Sequence, residues 1–436
     1  MSEWKEYKLG DICEITSSRR IFLNEYVKEG VPFYRSKEII EKAKGNNIST
    51  ELFITEERFN DIKKKNNVPV ENDILITSVG TLGVSYLVSK DDFFYFKDGN
   101  LTWLRNYSNV IYPKYLLHWL RSNIAKEKFN EISIGSTQPA ITIQGLKGIL
   151  LSLPDLLTQT AIAEILSSLD DKIELNNKIN QELEDLAQTL FKRWFIDFEF
   201  PNENGDPYKS SGGEMVDSEL GEIPKGWEVV KVSSLEYNLQ TGSRPKGGVG
   251  GITSGLPSVG AESVKGLGYY DFSKVKFISK EFADKMKRGK VHGYELLIYK
   301  DGGKPGTFIP HFTMFGEGFP FDDFYINEHV FLLDFLNREF NCFCYFYFDS
   351  QYVIPIFENN GGKAAIPGIN QEDVKQLCVF SPKNTLVKRF GEVAKSSIQT
   401  ILQNCKENIQ LTTLRDTLLP KLISGELEVS QIQNLP

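Results

Sequence analysis

With 436 residues, 41% apolar and 25% charged, the chain is too long for one ordinary core and too apolar for disorder, so two or more folded domains are expected. The formal charge of −8 is uneven: residues 151–224 carry 5 Lys+Arg against 16 Asp+Glu, and the rest is close to neutral. A basic face on either large segment is therefore neither required nor excluded. No apolar run reaches 18 residues and the first ten residues lack a signal core, which points away from membranes. Five scattered cysteines without a CxxC pair fit buried thiols in a reducing cytoplasm.

Taken in order, the first region, 1–153, reads as β-rich. "GVPFYRSKEI" (30–39) holds Gly-Pro before an apolar run, and "NDILITSVGTLG" (72–83) is an apolar strand entering a glycine turn. "LKGILLSLP" (146–154) ends on Pro154, where a helix can begin. Residues 154–196 then give a long helix whose seam, Ile162, Leu166, Leu169, Ile173, Asn176, Asn180, Leu183, Ala187, Leu190, Trp194, alternates spacings of 4 and 3. Residues 197–226 are polar and rich in Gly, Pro and Ser, and read as a connector.

The second half repeats the first. "GLPSVGAESV" (255–264), "YELLIYKDGGKPG" (294–306) and "VKQLCVFSP" (374–382) align with those blocks at offsets of 222–228. This makes 227–381 a second β-rich domain, 382–424 a second helix and 425–436 a tail. "LNNKINQELEDLAQTL" (175–190) and "QNCKENIQLTTLRDTL" (403–418) share seven residues at one offset: Asn176/Asn404, Lys178/Lys406, Asn180/Asn408, Leu183/Leu411, Leu186/Leu414, Thr189/Thr417 and Leu190/Leu418. The second seam, Phe390, Ala394, Ser397, Ile401, Asn404, Asn408, Leu411, Arg415, Leu418, Leu422, keeps the phase but carries Ser397 and Arg415.

Amides in an apolar seam must meet partners, and coiled coils use them to fix register. If the helices pack antiparallel, Asn176, Asn180, Asn404 and Asn408 meet mid-seam beside Leu183 and Leu411, in a rod of roughly 58 Å. Parallel packing would also join them but crowd both domains at one end. Two unrelated amphipathic helices are the remaining alternative. The expected fold class is α/β (α+β): two β-rich domains separated by two long helices in an antiparallel coiled coil, pseudo-two-fold from a tandem repeat. One reader at each end of such a rod suits two half-sites on duplex DNA.

"W…LGDICEI" (Trp4, Leu9, Gly10, Asp11) with its echo at Trp227, "GSTQPAITIQGLKGILLSLP" (135–154), the helix 153–195, "GEIPKGWEVVKV" (221–232) and "LLPKLISGELEV" (418–429) together resemble the specificity (S) subunit of type I restriction-modification systems. The resemblance implies two target-recognition domains, one per half of a bipartite DNA site. It implies helices that space them and dock two methyltransferase (M) subunits, with restriction-translocation (R) subunits completing the complex. It implies that this chain binds no cofactor, S-adenosylmethionine, ATP and Mg belonging to those partners, and that it works in the cytoplasm. The second helix lacks the "QTAIAEIL" opening, which puts equal docking on both helices in question.

No catalytic or metal constellation is legible. Glycine-rich "GGVGG" (247–251) lacks the frame of a phosphate loop. His118, His292, His311 and His329 lack ligand spacing, "CFC" (342–344) reads as buried strand, and "SLDDKIE" (168–174) as a solvated helix face. Better candidates are the DNA contacts Ser17, Ser18, Arg19 and Arg20, and Ser243, Arg244 and Lys246. They stand in equivalent loops that should follow the first strand of each half. Arg35 and Lys37 add to the first set, while "KKK" (63–65) and "KMKRGK" (285–290) are at most backbone contacts. The alternatives are a specificity subunit whose methyltransferase lacks a restriction subunit, a stand-alone DNA methyltransferase or nuclease, and a scaffold that binds no nucleic acid.

Overall fold

The computed structural model describes residues 4–45, 48–65, 67–135, 137–304, 306–362 and 367–433. Ser136, inside a stretch that carries the resemblance, Pro305, inside an aligned block, and the end of the expected tail, 434–436, lie outside the described residues. The chain forms two compact units, Met1–Glu174 with Gln410–Pro436, and Leu175–Ile409. Both long helices therefore contribute to both units, and no helix is long and apolar enough to cross a membrane among the described residues.

The first unit holds a four-stranded antiparallel sheet ordered Glu14–Thr16, Leu101–Arg105, Ile74–Thr77, Ser85–Leu87. The second unit holds Asn238–Thr241, Val330–Asp334, Leu296–Tyr299, Phe312–Met314 in the same order. A smaller sheet accompanies each and includes one parallel pair, Val31–Tyr34 with Tyr95–Phe96 and Leu256–Val259 with Tyr325–Ile326. A two-stranded ladder closes each domain next to its helix, Lys5–Lys8 with Leu150–Leu153 and Val229–Lys231 with Cys378–Phe380. Counterparts lie 222–230 residues apart, the extremes being Ile74 against Leu296 and Tyr95 against Tyr325.

The repeated Gly-Pro has a physical cause. Gly30 (φ 145°) and Gly255 (φ 138°) sit in a backbone region that side chains avoid. A Cβ on either would overlap a carbonyl oxygen, that of Ile54 or that of Ile278, across the smaller sheet. Each helix also starts alike. Asp155 accepts from Thr158 N at 3.0 Å, and Asn384 accepts from Leu386 N at 2.8 Å, so a capping side chain satisfies the open amides just after each proline.

Three expectations are corrected. "CFC" lies on the helix Arg338–Phe348, and Cys342 and Cys344 are both fully buried. From Phe340 to Phe348 every residue of this helix is buried, so neither helix nor strand period shows. Burial pushes the Cys342 thiol up to about 12, which leaves it un-ionised. Residues 197–226 are no loose connector: Met215–Ser218 pairs with Gly221–Pro224, and Phe198, Phe200 and Ile223 are buried in the second core. Phe200 stacks on Tyr208 and Trp227 with ring centroids 4.7 and 5.3 Å away. Asp170, read as solvated, is half-buried and ion-paired to Arg121 at 3.2 Å and Arg415 at 2.7 Å. Elsewhere the central segment is acidic and open, with Glu164, Asp171, Glu174, Glu182 and Asp185 all exposed on the helix.

His118 lies beside that cluster, its Nε2 3.0 Å from Ser167 Oγ. Burial lowers its pKa from 6.5 to about 4, helped by the cations Arg121, Arg415 and Lys114 and opposed by Asp170. The unfolded chain therefore binds a proton that the folded chain refuses between these values. Stability present above pH 6.5 is lost as pH falls toward 4, by at most about 3 kcal/mol. His118→Gln is expected to flatten this part of the melting temperature–pH curve, and an unchanged slope would refute the assignment.

Candidate nucleic-acid interface and helix pair

The helices run antiparallel. In the second unit Asn176, fully buried, donates to Asn408 Oδ1 at 2.9 Å and to Glu407 Oε2 at 2.7 Å. One turn on, Asn404 donates to Asn180 Oδ1 at 2.8 Å. Asn408 also donates to Asn177 Oδ1 at 2.8 Å, and Asn180 approaches Cys405 Sγ at 3.7 Å. The repeat-matched residues are thus not the paired ones: Asn176 meets Asn408, and Asn180 meets Asn404. Leu183 and Leu411 are half-buried, Leu183 against the second core. Asn177, Glu407 and Cys405 were not singled out in the sequence, since nothing in heptad phase marks them.

Arg415, out of place in an apolar seam, is explained by Asp170 opposite it in the first unit. The same unit buries Ile162, Ala163 and Leu166 with Leu422 and Ile423. Gln159, in the opening that the second helix lacks, is fully buried. It donates to the carbonyls of Val110 and Pro154 and accepts from Tyr112 N, each at 2.9 Å, and so ties the helix to its domain.

The two candidate loops do occupy equivalent places, but each follows the second strand of its half, the edge strand of the larger sheet. In the first unit Ser17 Oγ donates to Leu101 O at 3.3 Å. Ser18 is buried and its hydroxyl donates to Phe96 O at 2.7 Å, so it seats the loop and is not presented to a duplex, which corrects its reading as a DNA contact. At the counterpart, Gly242, a Cβ would overlap Ile326 O; the main chain itself takes the space that the serine side chain fills. Arg19, Lys37, Lys246 and Arg244 are exposed, and Ser243 is half-buried.

The arginines differ in how they are held. Arg35 places Nε and Nη2 on the two oxygens of Glu38, at 3.4 and 2.9 Å, so its fork is occupied. Burial raises the Glu38 pKa, but the bonds from Arg35 win and hold it below the ordinary value. This clamp starts the helix Ser36–Ala43 and occupies the guanidinium of Arg35, one of the expected DNA contacts. Arg20 instead approaches Asp98 closest through Nε, at 2.9 Å, and Arg244 approaches Glu328 closest through Nε, at 2.6 Å. Of the lysine runs, Lys63 and Lys65 line a recess of about 470 Å³ with Glu14, Arg105 and Asn106, while Lys290 pairs with Asp323 at 3.0 Å. No group of His, Cys, Asp and Glu suited to a metal ion occurs among the described residues.

Residues 1–185 match the type I restriction modification DNA specificity domain. Over 99% of this chain and 95% of the relative, the sequence is 27% identical to the type I restriction enzyme MjaIX specificity subunit of Methanocaldococcus jannaschii. Over nearly its whole length the chain is thus similar to type I restriction-modification specificity subunits. The HindI specificity subunit of Haemophilus influenzae is 36% identical over 46% of this chain and 42% of that protein. The fold of these subunits recurs in the type I S subunit from M. genitalium, with a TM-score of 0.57 at 16% identity, covering 97% of this chain and 96% of that one.

The amide ladder predicts a split between stability and register. Asn176→Ala should cost about 1–3 kcal/mol in chemical denaturation, since it removes the buried donor to Asn408 Oδ1 and Glu407 Oε2. Replacing Asn176, Asn180, Asn404 and Asn408 together by Leu should leave melting near normal, because an apolar seam needs no partners. A quadruple variant that melts as low as Asn176→Ala would overturn this.

Proposed function

We propose that this chain is the non-catalytic sequence reader of a type I complex, each unit reading one half of a bipartite duplex site. The observation that carries this is the shared sheet order in two units of one chain, each presenting an arginine loop from the same edge strand but with different residues. Equal scaffolds with unequal loops suit two different half-sites. The assignment of Arg19, Arg20, Lys37, Ser243, Arg244 and Lys246 to the duplex belongs to this proposal, as does the absence of a cofactor of the chain's own.

Docking of two methyltransferase subunits is supported by the helices. The seven matched identities divide in two. Asn176, Asn180, Leu183 and Leu190, with counterparts Asn404, Asn408, Leu411 and Leu418, are buried or half-buried. Lys178, Leu186 and Thr189, with counterparts Lys406, Leu414 and Thr417, are exposed, the two leucines by 64% and 47%. At 100° per residue these three fall within about one quarter of the helix circumference. Helix pairing does not account for a matched exposed set, whereas two copies of one partner would. Restriction subunits, S-adenosylmethionine, ATP and Mg then enter with the partners, in the cytoplasm.

Leu186→Glu or Leu414→Glu alone should leave one methyltransferase subunit bound and weaken the other at least about tenfold. Both together should leave none, as read by native mass spectrometry; full stoichiometry in the double variant would refute this surface. Exchanging residues 1–150 for another such domain should change one half of the methylated motif, read by sequencing modified DNA. A change in both halves would show that the units are not independent readers.

A further inference from the structure

The internal repeat supplies an alignment of two, and it matches an interaction as well as residues. Arg20 and Arg244 lie 224 positions apart, and their carboxylate partners Asp98 and Glu328 lie 230 apart, within the spread of the strand offsets. In both units the arginine leaves the same loop, the acid stands just before an inner strand of the larger sheet, and the closest approach is made by Nε, as a hydrogen bond in Arg20 and as an ion pair in Arg244. The arginine side chains are 67% and 58% exposed, whereas the acids are only 13% and 26% exposed. Each acid has a second basic neighbour, Lys97 at 3.6 Å from Asp98 and His329 Nε2 at 3.2 Å from Glu328. Each lies in a segment hydrogen-bonded to the loop, through Ser18 to Phe96 O in one unit and Gly242 N to Asn327 O in the other. A surface ion pair of this kind adds little stability, so stability does not account for its being built twice.

The geometry does account for it. A guanidinium whose Nε side rests against a carboxylate loses freedom about its long stem, while its two terminal nitrogens make no hydrogen bond among the described residues and stay available as a planar fork. That fork matches guanine O6/N7 or a phosphate in two-point fashion. Arg35, whose Nε and Nη2 both rest on Glu38, shows the opposite arrangement.

We propose that Asp98 and Glu328 are positioning residues, each aiming one loop arginine, Arg20 or Arg244, at one half of the DNA site. The inference rests on the reading of these loops as duplex contacts. It has a counter-intuitive sign: removing a negative charge beside a polyanion should weaken specific binding. Simple repulsion predicts the reverse.

The test uses the full chain in complex with its methyltransferase subunits, the motif being first read from methylated DNA. Affinity is measured on duplexes carrying that motif or a scrambled one. Asp98→Asn and Glu328→Gln are expected to weaken motif binding roughly tenfold, the size of one two-point base contact, without weakening scrambled binding. The loss should vanish in the Arg20→Ala and Arg244→Ala backgrounds. Asp98→Glu, which copies the other unit's residue, should retain most binding and so separates aiming from misfolding. If the acidic variants tighten both duplexes, leave motif binding unchanged, or weaken it equally without the arginine, the positioning role is overturned. If the arginine variants leave affinity and motif unaltered, the reading of these loops as DNA contacts fails instead.

Discussion

Burying an amide costs stability unless its donors find acceptors, and the two long helices meet where the Asn176 N–H groups do so. Leucines at a seam accept any neighbour of similar size, so an all-leucine pair would slide by a heptad at little cost. Asn176 has Asn408 and Glu407 within reach in one register, and Asn180 has Asn404 in the same one. Away from that ladder the seam shifts to salt. Asp170 and Arg415 pair between the helices in the first unit, and Arg121 ties the same aspartate to the domain beside it.

Much of this was legible because the chain is its own alignment. The Gly-Pro pairs at Gly30 and Gly255 stood out as matches, and the structure gives the reason in a carbonyl that leaves no room for Cβ. The asparagines stood out because a polar residue in a strict 4-3 pattern needs an explanation. Arg415 was flagged for the same reason, but its partner, 245 residues earlier in the chain, carried no signal.

What escaped the sequence has two physical sources. The first is enclosure: Phe340 to Phe348 are buried all round, so the period that separates helix from strand disappears. Residues 197–226 mislead in the opposite way, since three apolar side chains anchor a stretch whose composition is that of a linker. The second is reach. Asp98 is 78 residues from Arg20, and Glu328 is 84 from Arg244, so neither partner could be named before the fold joined them. Arg35 was more accessible, because Glu38 three residues on marks a helix start that occupies the arginine.

The exposed acids of the central helix bear on kinetics as well as on net charge. A duplex is a dense line of negative charge, and a helix face bearing Glu164, Asp171, Glu174, Glu182 and Asp185 repels it. Under the proposed function, and before a methyltransferase subunit docks on the same side of the helix, at Lys178, Leu186 and Thr189, encounters that lay the duplex along this face are shortened, and search time is concentrated on the loops. Screening acts within about 10 Å at 0.1 M salt, so raising salt erodes this bias along with the attraction at the arginines. Association rate and equilibrium affinity then respond to ionic strength by different amounts, the former sensing the acids at a distance and the latter chiefly the groups in contact.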